Sequence, residues 1–101
     1  MAQEIRKIEF NMAETHEALK VFFTKTGQEL LPGSLTKMTS DPGVPGRLIA
    51  LFDQKTMDLR DKDMLTALLV FCQDKSIPIP KDGKKMVKGE GDKVVILLKR
   101  G

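Results

Sequence analysis

The stretch Ala18-Leu19-Lys20-Val21-Phe22-Phe23 returns 49 residues later as Ala67-Leu68-Leu69-Val70-Phe71-Cys72, with four identities in the first five positions. At the same offset Ile8 and Phe10 fall on Met57 and Leu59. One residue of slippage brings Leu31-Pro32 onto Ile79-Pro80. Each half then passes a Gly-rich turn into an apolar run, Arg47 to Phe52 (RLIALF) in the first and Lys93 to Leu98 (KVVILL) in the second. The chain therefore reads as one α/β domain, 1–101, with an internal repeat of about 5–53 and 56–100. One copy cannot bury its own helix face, whereas two copies sharing a sheet can.

Outward from the repeat, each copy has the same order of elements. Alternating Ile8 and Phe10 suggest a short strand. Asn11 followed three residues later by Glu14 is a capping box that opens a helix. Met12, Leu19, Phe22 and Phe23 share one arc of that helix, His16 lies at the arc's edge, and Gly27 fits just past the end. In the second copy Asp61 is the candidate cap. Its helix runs to about Lys75, with Met64, Leu65, Leu68, Phe71 and Cys72 as the core arc. Ile77-Pro78-Ile79-Pro80 can be neither helix nor central strand.

Clear strands are expected at 5–10, 47–52, 56–59 and 93–98, and shorter ones at 35–39 and 84–88, with Gly89 to Asp92 as a turn. The fold class is α+β: two tandem β-α-β(β) repeats form one mainly antiparallel sheet of four to six strands, with both helices on one face. With four strands alone, the order β-α-β-β-α-β is that of the ferredoxin-like arrangement.

Composition narrows the function classes. The chain of 101 residues is 41% hydrophobic and 31% charged, as in an ordinary globular domain. No run of apolar residues approaches a membrane span, and the first residues lack a secretory pattern, so a cytoplasmic, soluble protein is expected. The single cysteine excludes an internal disulfide. The net charge of +3 is uneven: residues 81–101 hold seven Lys or Arg against three acids. Those cations, Lys81, Lys84, Lys85, Lys88, Lys93, Lys99 and Arg100, are the candidate phosphate or nucleic-acid contacts. No Trp or Tyr is present, and the strand aromatics are limited to Phe10 and Phe52. An RRM-like stacking platform is therefore not expected.

Catalytic and cofactor motifs are missing. Cys72 reads as a small core residue and His16 as a surface one. One histidine without a HExxH or EF-hand pattern gives no metal site. The Gly-rich segments lack the spacing of a phosphate loop, so neither a catalytic residue nor a cofactor is assigned. Met12, Met57 and Met64 read as core, and Met38 and Met86 as filler under the linking segments, the alternative being an adaptable binding surface.

The copies diverge where Lys20 becomes Leu69 and His16 becomes Leu65, which widens the apolar arc of the second helix. Leu69, Val70, Ile77 and Ile79 are therefore the candidate protein interface. The expectation is a non-enzymatic module acting through protein–protein contact, including a homodimer through the second helix or through KVVILL as an edge strand. The alternative is a nucleic-acid-binding module using the C-terminal lysines, and the third reading is a small-molecule-binding or enzymatic domain.

Overall fold

Asn11 makes a strand and a helix meet without a loop. In the computed structural model, which describes residues 4–79 and 83–100, strand β1 (Glu4–Asn11) runs straight into helix α1 (Met12–Thr26). The Asn11 side chain accepts from the Glu14 N–H at 2.8 Å, and the Asn11 N–H donates back to Glu14 Oε1 at 3.0 Å. This is the expected capping box, and it satisfies two amide donors that a helix start leaves unpaired. At the other end Gly27 adopts a left-handed φ of 71°, as a C-terminal cap glycine does.

The remaining elements are β2 (Leu35–Ser40), β3 (Arg47–Phe52), β4 (Lys55–Arg60), α2 (Asp61–Asp74), β5 (Lys84–Gly91) and β6 (Lys93–Arg100). They form one sheet in the order β1-β6-β5-β2-β3-β4, with every neighbouring pair antiparallel. Both short segments, 35–39 and 84–88, are therefore strands, and they meet at the centre of the sheet. The six-strand arrangement holds, and the four-strand ferredoxin-like order does not arise.

Exchanging the first three strands with the last three reverses the sheet order onto itself. Strand, helix and central strand match at an offset of 49. The last strands match at 46, because the connection 41–46 is longer than the turn at Asp92.

Alternation along the strands places Phe10, Leu48, Ala50, Phe52, Val94, Ile96 and Leu98 on one face. Both helices cover that face with Leu19, Phe23, Met64, Leu68, Phe71 and Cys72 in a single core. Met38, read as filler, is fully buried in it. No helix among the described residues is long and apolar enough to cross a membrane.

Three expectations are corrected. KVVILL is not an edge strand: β6 lies between β1 and β5 because β1 returns to pair along its free side. The exposed edges are β1 and β4, whose charged side chains discourage further pairing. Gly89 and Glu90 belong to β5, and the turn is confined to the Gly91–Lys93 corner. Asp61 is the first residue of α2 and not its cap. The cap position is Arg60, which makes no side-chain capping bond, and the Asp61 N–H instead donates to the Gly46 carbonyl at 2.9 Å.

Candidate functional site

The sheet's second face carries no helix, so its residues follow from register alone. Across β1, β6 and β5 they form three rows, Ile5-Lys99-Lys84, Lys7-Leu97-Met86 and Glu9-Val95-Lys88, with the Asn11-Lys93 pair following and Glu90 next along β5. A strand's period of two sends these side chains away from the core.

Half of this grid is closed by charge. Lys93 Nζ lies 3.3 Å from Glu9 and 3.9 Å from Glu90, and Lys7 Nζ lies 3.6 Å and 3.8 Å from the same two acids. Val95, directly opposite Glu9, is only 1% exposed although it faces away from the helices. The Lys93 hydrogen bond and charge hold the Glu9 carboxyl below its ordinary range, and Glu9 in turn raises the Lys93 ammonium.

The other copy builds the same device. At the repeat offsets Lys93, Glu9 and Glu90 correspond to Arg47, Asp58 and Asp41. Arg47 lies 2.6 Å from Asp41 and 3.6 Å from Asp58. The Gly43 N–H and then Arg47 lower the Asp41 carboxyl. A bridge present in both halves belongs to the scaffold.

What the first copy lacks stands at the other end of the grid. Lys84 is directly opposite Lys99, and like charges so placed repel. Lys84, Lys88 and Lys99 have no ion-pair partner among the described residues. Ile5 is 66% exposed and Met86 64% exposed, on either side of Leu97. In the first copy Leu35, Thr39 and Asp53 take the positions of these lysines, while Lys37 takes that of Met86.

Of the sequence-predicted cations, Lys84, Lys88, Lys93 and Lys99 therefore share this face. Lys85 points to the helix side, beside Asp61 and Leu65. Lys81 lies outside the described residues, as does the side chain of Arg100. Met86 is not filler under a linking segment, because β5 turns it out to solvent.

Comparison of the chain with family models, with curated proteins and with solved structures finds no match.

The predicted apolar interface residues separate. Ile77 and Ile79 pack against the core, held by the Ile77 N–H bond to the Cys72 carbonyl at 2.8 Å. Leu69 and Val70 are half-buried on α2. Cys72 is fully buried, and burial followed by the Glu14 charge pushes its thiol up, away from the reactive thiolate. His16 is half-buried with its ring centroid 5.7 Å from that of Phe52. A cleft of about 700 Å³ between Pro32 and Lys55 is lined by neither residue. Among the described residues no cluster of three His, Cys, Asp or Glu could hold a metal.

Sequence reasoning missed Ile5 and Leu97, and reached Met86 only through the second reading of the methionines. Their signal was the alternation in Lys84-Lys85-Met86-Val87-Lys88, where cations and an apolar residue share one parity. Finding it required knowing that 84–88 is a strand and that no helix covers its outer face.

Proposed function

We propose that the chain is a non-enzymatic interaction module that docks a protein partner on the helix-free face of β1, β6 and β5. One observation carries this reading: Ile5 and Met86 stand exposed beside Leu97, and the three lysines around them lack partners among the described residues. Exposed apolar side chains within a charged rim are what an interface centre uses. A homodimer through this face would set lysines against lysines, so a partner of different chemistry is favoured.

The nucleic-acid alternative draws support from the shared face of Lys84, Lys88, Lys93 and Lys99. It is less favoured for two reasons. Phe10 and Phe52 are turned into the core, which leaves no stacking platform among the described residues, and Glu9 and Glu90 would repel a phosphate backbone.

The test is a photo-crosslinking amino acid at position 86, with a control at exposed position 62 on α2. Discrete crosslinks to another protein from position 86 alone, suppressed by Ile5→Asp, are expected in extracts of the source cells. Equal labelling from both positions overturns the reading. Sedimentation of a monomer at high concentration would remove the homodimer form.

A further inference from the structure

Resting on that reading, we infer that the partner docks through an acidic amphipathic segment, one that presents a carboxylate, an apolar side chain and a second carboxylate in line. The charge pattern of β5 is the reason. Lys84, Met86 and Lys88 follow one another on its outer face at two-residue steps, about 7 Å each along a strand. Lys99 doubles the charge at one end of this line, with Ile5 beyond it in the same row, and Leu97 widens the apolar ground at its middle.

Charge complementarity selects the occupant. An anion placed over both side chains relieves the lysine repulsion between β5 and β6. A ligand with charge alone would leave Met86 and Ile5 in water. A ligand with apolar surface alone would desolvate the lysines without pairing them, which is costly. Neighbouring Glu9 and Glu90 are already held by Lys7 and Lys93, so they set the boundary of the site. The segment must end its negative charge over Lys88, short of Glu9 across Val95 and of Glu90 two residues further along β5.

This arrangement has no counterpart in the first copy, although the fold there is the same. The scaffold bridge is present twice and the lysine–methionine line once. The line is therefore not required to build the sheet.

The experiment titrates the intact isotope-labelled chain with three probes while backbone amide resonances are followed. The first is a synthetic peptide repeating Glu-Thr-Leu-Thr, which places Glu and Leu alternately on one side of an extended chain. The second replaces each Leu with Ser at unchanged charge, and the third is a single-stranded DNA oligonucleotide. Shifts confined to Ile5, Lys84, Met86, Lys88, Leu97 and Lys99 with the Glu/Leu peptide, about tenfold weaker with the Ser version, are expected. Lys84→Gln and Lys88→Gln should each weaken binding about twofold to fivefold, and Met86→Ser should bring the two peptides level. Amide spectra of the variants establish that each is folded.

DNA or the Ser peptide binding as tightly as the Glu/Leu peptide overturns the inference, and so does the absence of binding. The two readings fail separately. Crosslinks from position 86 to a segment without Asp or Glu would sink this inference and leave the docking face standing, whereas loss of position-specific crosslinks would sink the docking face itself.

Discussion

The amide of Gly89 donates to the hydroxyl oxygen of Ser40 at 3.0 Å, and these two residues occupy equivalent places in the repeat, 49 positions apart. The bond crosses the line where the two half-sheets meet. There the β2–β5 ladder is short, with Met38 opposite Gly91 and Thr39 opposite Glu90. The backbones come so close that a Cβ on Gly89 would lie 2.7 Å from the Met38 carbonyl oxygen. One copy has supplied a hydroxyl at this position and the other has given up its side chain.

Gly89→Ala should therefore destabilise the chain by about 1–3 kcal/mol, because the atoms that must yield are backbone. Ser40→Ala should cost about 1 kcal/mol through the lost acceptor. The double variant should fall short of the sum, since the displaced β5 backbone has already lost the bond. Urea midpoints of the four proteins measure this. An unchanged midpoint for Gly89→Ala would mean that the half-sheets do not approach so closely.

Helix capping gives a test in the opposite direction. Asn11 caps α1, and its equivalent Arg60 leaves α2 without a side-chain cap. Arg60→Asn should add about 0.5–1 kcal/mol, and pairing it with Asp63→Glu should rebuild the whole box. The Arg60–Asp63 contact that is lost, 3.4 Å long and largely exposed, offsets little of this gain. Asn11→Ala should cost about 1 kcal/mol. Thermal melts of the three variants provide the comparison, and a loss of stability in Arg60→Asn would contradict it.

Much of this architecture was legible in the residues. The ALKVFF repeat and the Asn11–Glu14 box gave the helices, and RLIALF and KVVILL gave the long strands, because strong periodicity and capping are local signals. The sheet order was not legible. Whether β6 is an edge depends on β1 returning across the whole chain to pair with it, which no local pattern records. The site was hidden for the same reason. Lys84, Lys88 and Lys99 stood out as cations, but their shared face with Ile5 and Met86 is a consequence of register between strands far apart in sequence. Asp61 misled because an acidic residue suits both a cap and a first turn, and only backbone geometry separates the two.

Acidification should loosen the fold through His16. Burial, and then the Lys20 charge, lower its pKa in the folded chain. In the unfolded chain it returns to its ordinary value of about 6.5, so the unfolded state takes up the proton first. Stability is then complete above that value and is lost as pH falls through it. His16→Leu, which copies the equivalent Leu65, should flatten stability between about pH 7.5 and 5. Denaturation midpoints across that range would show an unaltered slope in the variant if other groups were responsible. The lowered carboxyls of Asp41 and Glu9 act in a separate, more acidic window.

The lysines on the open face should trade stability against binding. Lys99 faces Lys84 across β5 and β6, so Lys99→Glu turns a repulsive pair into an attractive one. It should raise stability by about 0.5 kcal/mol, with the gain fading at high salt. The same change should weaken the Glu/Leu peptide by more than Lys99→Gln does, because it adds repulsion to the lost attraction. A second substitution separates these effects. Lys84→Glu in the Lys99→Glu background restores a like-charge pair, so the stability gain should vanish while binding falls further. Paired urea and peptide titrations on the four proteins read both quantities. If the double variant kept the added stability, the two side chains would not be interacting across the strands. If Lys99→Glu bound the peptide as well as the unaltered chain, the positive charge would not be what recognises it.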